Sequence, residues 1–270
     1  MTTSVGGPPQ AAGDGYPAGT ASMEHWTTAG PVRGPLALSE TEATVEQEQA
    51  TVADSTALGL ACLAGATFVL SAVFAGWFSP VGIVVAIPVL LIFGGIGEIL
   101  AGMWAYRRGD MLTATTFSVL GTFNAAFALL LQLVATSPIA AASVGEAVRG
   151  MTGIFVLAIA VLVAGLGVAA LGTHKVLAAI FLVLALAYLC DGLGIWTQPP
   201  TWFVAIGTPT VMGAVHSGWL LVVGGYVGMV ASLLAAYAAI ALVVNSASGH
   251  ERWPVFRAGT QPLARRHAGT

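Results

Sequence analysis

The residue best placed to do chemistry in this sequence is Glu98, whose carboxyl group lies inside a long apolar segment. Gly94 and Gly102 stand four residues before and after it, so a helix places all three on one face. A charge at the centre of a membrane helix costs about 2.5–3.5 kcal/mol, and such residues usually face a bundle interior or a wet cavity. Two interpretations follow: Glu98 lines a substrate or proton path, or it bonds to a neighbouring helix for packing alone.

Other polar residues in apolar surroundings carry a weaker signal. Asn124 either lines the same path or bonds across helices as structural glue. Tyr188 and Asp191 are expected near the outer mouth, with Asp191 in the membrane interface rather than on a path. Cys62 and Cys190 both lie in apolar blocks and are expected to be small core residues.

The sequence has no pairing of nucleophile and base, no metal-ligating cluster and no glycine-rich loop after a strand. It therefore predicts no enzyme activity, no catalytic residue, no metal and no cofactor. The net charge of −3, without a basic stripe carrying aromatics, also argues against a nucleic-acid partner.

The elements that position these residues follow from composition. The 270 residues are 57% hydrophobic and only 8% charged, whereas soluble domains carry about a quarter charged residues. The apolar residues form blocks of about 20, the length that crosses a bilayer as a helix. We expect an all-α integral membrane protein with six transmembrane helices, at residues 58–78, 81–106, 111–134, 151–171, 176–196 and 218–244.

The domain organisation and orientation are predicted from composition and charge. Residues 54–245 are expected to form the six-helix domain, between a disordered cytoplasmic tail at 1–53 and a basic cytoplasmic tail at 246–270. Nearly all Lys and Arg residues after the N-terminal tail lie in three places: the loop after the second apolar block, the loop after the fourth block and the C-terminal tail. Arg149 is the exception. The positive-inside rule then predicts a multi-pass protein of the plasma membrane with both termini in the cytoplasm.

Block two also carries a recognisable string. It reads Phe-Gly-Gly-x-x-[Gln/Glu]-x-x-Ala-Gly-Met-Trp-x-[Tyr/Phe]-Arg-Arg-Gly-[Asn/Asp], followed by Thr-Ala-Thr-x-Phe and Gly-x-Phe, from Phe93 to Phe123. This string resembles the acetate uptake transporter family, the succinate–acetate permeases and their fungal acetate/ammonia-export relatives. Residues 224–228 resemble helix six of that family, and 58–60 stand where its Asn-Pro-Ala-Pro-Leu-Gly-Leu signature opens helix one.

The resemblance implies six helices per subunit, a ring-shaped homo-oligomer that is a hexamer in the family, and a path through each protomer for acetate and similar small carboxylates. It also implies a narrow apolar constriction from helices one, three and five, which aligns with Leu63, Leu120 and Leu184. Aromatic residues are usual at the first two of these positions, so a wider gate is expected.

Two departures from the family pattern bear on the substrate. The helix-one motif begins with Asp54 in place of asparagine, loses both prolines and then keeps Leu58, Gly59 and Leu60. Glu98 stands where many bacterial members have glutamine.

The leading hypothesis is therefore transmembrane transport of acetate or a similar small carboxylate, with a path lined by Glu98, Asn124, Gly94 and Gly102. An ionised Glu98 would repel a carboxylate, so it should be protonated during passage or carry a coupled proton, as in symport. One alternative is channel-like passage of ammonia or undissociated acid. Another is a non-transporting membrane assembly component, in which Glu98 holds helices together.

Overall fold

The computed structural model describes residues 53–78, 82–136, 145–197 and 218–255. These residues form six long helices. Each helix is long and apolar enough to cross a membrane, so the predicted six-helix all-α architecture is confirmed for the described part of the chain. The helices are α1 (Thr56–Phe74), α2 (Ile83–Arg107), α3 (Met111–Thr136), α4 (Gly145–Ala170), α5 (Lys175–Thr197) and α6 (Trp219–Ser248).

The helix ends differ from the expected blocks by a few residues. Helix α1 stops at Phe74, four residues before the expected end, and Gly76 follows it with a φ of 79°. Helix α4 begins at Gly145 rather than at residue 151, because helix-forming residues extend it beyond the apolar block. Helix α6 continues to Ser248, where Gly249 ends it in the left-handed conformation. Of the predicted tails at 1–53 and 246–270, residues 1–52 and 256–270 lie outside the described residues, whereas 246–248 belong to α6.

Helix α2 changes its winding halfway along. It is α-helical over Ile83–Val89, a π-helix over Leu90–Gly97 and α-helical again over Glu98–Arg107. The wider turns begin two residues after Pro88, which cannot donate a backbone hydrogen bond. Glu98 is the first residue after the π segment, and such segments are frequent at functional sites.

The six helices pack as a closed series. Each of α1, α2, α4 and α5 packs along the next helix in the chain, and α6 returns to α1. Of these neighbouring pairs, helices α3 and α4 make the least extensive contact. Fully buried aliphatic and aromatic side chains fill the interior, among them Leu63, Leu120, Leu184, Phe117, Phe127 and Phe181. The outward faces are also apolar, as expected for contact with lipid.

A short segment after α6 folds back along that helix. Asn245 Oδ1 accepts hydrogen bonds from the backbone amides of Arg252 and Trp253 at 2.8 and 2.9 Å. The Trp253 ring stacks on Tyr237, whose hydroxyl donates to Pro254 O at 3.1 Å. These contacts hold the chain as far as residue 255 at the same end of the bundle as the start of α1.

Candidate functional site

Glu98 and Asn124 meet inside the bundle although 26 residues separate them in the chain. Asn124 Nδ2 donates to Glu98 Oε1 at 3.2 Å, which joins α2 to α3. Glu98 is completely buried, and its second oxygen, Oε2, has no hydrogen-bond partner among the described residues. A buried carboxyl group therefore depends on one amide for its hydrogen bonding.

Gly94 and Gly102 flank Glu98 on the side of α2 that packs against α3. A Cβ added to Gly94 would lie 2.9 Å from the side chain of Asn124. A Cβ added to Gly102 would collide with the Ser118 hydroxyl and lie 3.0 Å from Ala114 O. The predicted Gly94, Glu98 and Gly102 face thus exists as a close helix contact, and the two glycines border neither of the cavities described below.

A vestibule of about 240 Å³ opens at the end of the bundle where α1 begins. Its walls come from the start of α1, the end of α2, the start of α3, the start of α5 and the end of α6. We call it the Asp54 vestibule, and its lining includes Asp54, Thr56, Leu60, Arg108, Asp110, Thr113, His174 and Leu177.

Asp54 connects the start of α1 to the end of α2 at this vestibule. Its Oδ1 lies 2.6 Å from Arg108 Nη1 and accepts hydrogen bonds from the amide and hydroxyl of Thr56 at 3.0 and 2.6 Å. Burial raises the pKa of Asp54, but the Thr56 hydrogen bonds and the Arg108 charge outweigh burial and hold it below its ordinary 3.8. Ser55 adds a second link, since its hydroxyl donates to Ala101 O at 2.8 Å.

The rest of the helix-one motif divides between two faces of α1. Leu58 is exposed on the outside of the bundle. Gly59 is buried against the ring of Phe117 on α3, which leaves no room for a side chain there. Leu60 is buried and lines the Asp54 vestibule.

A second, much smaller cavity lies deeper in the bundle. Its open volume of about 10 Å³ is room for about one water molecule. We call it the inner cavity, and its polar members are Thr67, Ser71, Asn124, Tyr188 and Asp191, from α1, α3 and α5. Five polar residues around one water-sized space are enough to bind a water or a substrate hydroxyl.

Asp191 is the site residue whose place the sequence interpretation got wrong. It was expected in the membrane interface, but it is 7% exposed and borders the inner cavity. Its Oδ1 has no hydrogen-bond partner among the described residues and packs against Gly224 of α6. Spacing places Ala187, Tyr188 and Asp191 on one helical face, but only the structure shows that this face packs against the glycines of α6.

Leu63, Leu120 and Leu184 are all buried at 1% exposure or less. On α1, Leu60 borders the vestibule and Ala66 borders the inner cavity, about 9 Å further along the helix. Leu63 lies halfway between them. On α3, Leu120 likewise stands between the vestibule-lining and cavity-lining residues, and Leu184 on α5 borders the cavity. An apolar layer therefore separates the two spaces at the level of the predicted constriction.

The buried acidic and basic side chains inside the bundle are both carboxyl groups, Glu98 and Asp191, among the described residues. Among the described residues, the Arg and Lys side chains lie at or beyond helix ends. Arg149 is the one near the end opposite the vestibule, and its Nη1 donates to Ile195 O at 3.3 Å. The described residues also contain no group of three potential metal ligands.

Comparisons with known proteins agree with this architecture. The model of the GPR1/FUN34/yaaH family matches residues 39–257. Among solved structures, that of the bacterial acetate channel SatP aligns with a TM-score of 0.60 and 21% sequence identity, over 75% of this chain and 98% of that one. At this identity the likeness shows a shared fold. No curated protein gives a significant match.

Proposed function

Because the chain belongs to the GPR1/FUN34/yaaH family, we propose that it carries acetate or a similar small carboxylate across a membrane, through a path inside each protomer. The family match confirms the resemblance drawn from Phe93–Phe123. Acetate is the first choice because the similar solved structure is that of an acetate channel.

The observation that carries this proposal is the order of spaces along the bundle. A polar vestibule, an apolar layer and a small polar cavity follow one another inside the six helices. This order suits a path that excludes hydrated ions by dewetting at the Leu63, Leu120 and Leu184 layer. The inner cavity would then receive the polar head of the substrate beyond the layer.

In the proposed mechanism Glu98 controls passage by its protonation. Coulomb repulsion from an ionised carboxyl in a dry interior opposes an approaching carboxylate. Glu98 reaches the inner cavity through Asn124, since the same amide bonds Glu98 and lines the cavity. Glu98 is therefore protonated during passage, and it carries the proton if transport is symport.

The proposal includes the assembly and its location. The exposed apolar faces of the helices offer surfaces for lipid and for further copies of the chain. We propose a ring-shaped homo-oligomer, a hexamer by family resemblance, in the plasma membrane with both termini in the cytoplasm.

Uptake of radiolabelled acetate into proteoliposomes at several pH values tests the proposal. Wild-type uptake should exceed that of protein-free liposomes, and Glu98→Gln should flatten its pH dependence because an amide cannot titrate. Glu251→Gln, the same chemical change at an exposed residue after α6, is the matched control and should behave as wild type.

The outcomes separate the alternatives. If Glu98→Gln leaves both rate and pH dependence unchanged, the proton role is wrong although transport stands. Uptake no faster than in protein-free liposomes would favour the non-transporting assembly component, in which Glu98 holds α2 to α3.

A further inference from the structure

The segment after α6, residues 249–255, forms part of the wall of the Asp54 vestibule, and we call it the strap. The chain turns back at the end of α6 through a glycine in the left-handed conformation. The strap then runs along α6 towards its earlier residues, since Trp253 contacts Asn245 whereas Pro254 contacts Tyr237, two turns before it. The end of the strap thereby reaches the vestibule.

Val255 lies between the vestibule and a second space at the same end of the bundle. This second space, which we call the outer pocket, has a volume of about 620 Å³ and is lined by the start of α1, the end of α6 and the strap. Asp54, Leu242 and Val255 border both spaces. These three residues therefore form the partition between the vestibule and the outer pocket.

Of the three residues in this partition, Val255 is the one that is attached only through the strap. Leu242 belongs to α6, and Asp54 is tied to the end of α2 by its ion pair with Arg108. The amide of Val255 donates to Glu251 Oε1 at 3.2 Å, within the strap itself. Glu251→Gln keeps an oxygen acceptor for this amide, so it leaves the partition in place.

Exposed contacts on α6 hold the strap. Asn245 accepts hydrogen bonds from the amides of Arg252 and Trp253, and its Nδ2 donates to Trp253 O at 2.7 Å. The Trp253 ring stacks on Tyr237 with the ring centroids 5.7 Å apart, yet Trp253 remains 40% exposed. Segments that bury little apolar surface and whose hydrogen bonds are exposed open locally at low free energy. The strap is such a segment.

We propose that the strap is a lid that controls access to the vestibule from this end of the bundle. The structure holds it closed, with Val255 in the partition. Opening breaks the contacts with Asn245 and Tyr237, withdraws Val255 and joins the vestibule to the outer pocket. The lid itself does not depend on what the protein carries. Its effect on flux rests on the proposed transport function, because a substrate that enters through the vestibule meets a wider mouth when the strap is open.

A cysteine in the vestibule reports whether the lid is closed. Thr113→Cys, in a background of Cys62→Ser and Cys190→Ser, places a single thiol at a buried position of the vestibule wall. The rate of its reaction with a small, water-soluble methanethiosulfonate reagent is measured on the purified full-length protein in detergent. The strap as it stands should make this reaction slow.

The combination of Asn245→Ala and Trp253→Ala removes the polar anchor of the strap and its ring contact. We expect it to raise the labelling rate at least about tenfold, which corresponds to the loss of one or two hydrogen bonds from the closed state. Gln132→Ala is the matched control, since it removes an exposed amide side chain near the opposite end of α3. This control should label as slowly as the parent protein.

Val255→Ala gives an independent test, because it shortens the partition and keeps every backbone hydrogen bond of the strap. It should raise the labelling rate by a smaller factor than the double variant does. Circular dichroism establishes whether the double variant keeps its helix content. If the double variant has lost helix content, the labelling rate of Val255→Ala decides the question.

Uptake of radiolabelled acetate into proteoliposomes, at an acetate concentration below saturation, then tests the effect of the lid on flux. Faster initial uptake by the strap variants than by wild type and Gln132→Ala would support the proposal. A folded double variant that labels no faster than the parent would overturn it, and so would faster labelling without faster uptake. Uptake by wild type no faster than in protein-free liposomes would defeat the proposed transport function, whereas the labelling rates would still decide whether the strap is a lid.

Discussion

At the scale of single residues, one hydrogen bond decides how Glu98 is accommodated. Asn124 is its only hydrogen-bond donor among the described residues, and the same side chain fills the space over Gly94. Sequence reasoning weighed a path role against a packing role for each of the two residues. The structure is consistent with both the packing role and the path role, because Asn124 bonds Glu98 and also borders the inner cavity.

Asn124→Ala should lower the stability of the protein in detergent by about 1–2 kcal/mol, because it leaves a buried carboxyl without a donor. Thermal or SDS-induced unfolding followed by circular dichroism measures this. Thr122→Ala is the matched control, since Thr122 is exposed and bonds only to carbonyls of its own helix. Equal stability of the two variants would show that the Glu98–Asn124 bond contributes nothing.

At the scale of elements, glycines set how closely α2 approaches α3. Gly94, Gly95 and Gly102 on α2 and Gly121 on α3 all lie within van der Waals contact of the partner helix. The spacing of Gly94 and Gly102 predicted that they share one face of α2, and the structure adds that this face packs closely on α3. The π-helix at Leu90–Gly97 was not predicted, because a change of winding inside a uniformly apolar run leaves no mark in hydrophobic periodicity.

Gly102→Ala should destabilise the α2–α3 contact by about 1–3 kcal/mol, because the added methyl group meets Ser118 and the backbone of α3. Gly165→Ala on α4 is the matched control. No atom lies within 4 Å of a Cβ added there, so its effect should stay within about 1 kcal/mol. The same unfolding assay compares them, and a Gly102 variant as stable as the Gly165 variant would contradict the close packing.

At the scale of the whole molecule, the start of α1 and the end of α6 lie at the same end of the bundle, as expected for an even number of helices that could cross a membrane among the described residues. The vestibule with Asp54, Arg108 and His174 lies at that end, together with the segment after α6. The positive charges at the same end are the basis on which we propose that this end faces the cytoplasm. Arg149, the basic residue that does not follow this distribution of positive charge, lies at the opposite end against the last turn of α5.

Cysteine labelling checks this orientation. In a background of Cys62→Ser and Cys190→Ser, a single cysteine at Gly6 or Thr260 should react with a membrane-impermeant maleimide in inside-out vesicles and not in intact cells. A cysteine at Thr208, between α5 and α6, should show the opposite pattern. Reversed labelling of these positions would refute the proposed topology.

The sequence by itself determined the six long helices of the described residues, their lengths to within a few residues and the position of Glu98 inside an apolar helix. These properties depend on the length of each apolar block and on local composition, which a single chain displays directly. Only the tertiary structure decided that Glu98 meets Asn124 and that Asp191 faces the inner cavity instead of the membrane interface. The physical reason is that both faces of these helices are apolar, so periodicity cannot tell which face points inward. That choice is made by packing between helices, where glycines such as Gly224 leave room for a carboxyl group.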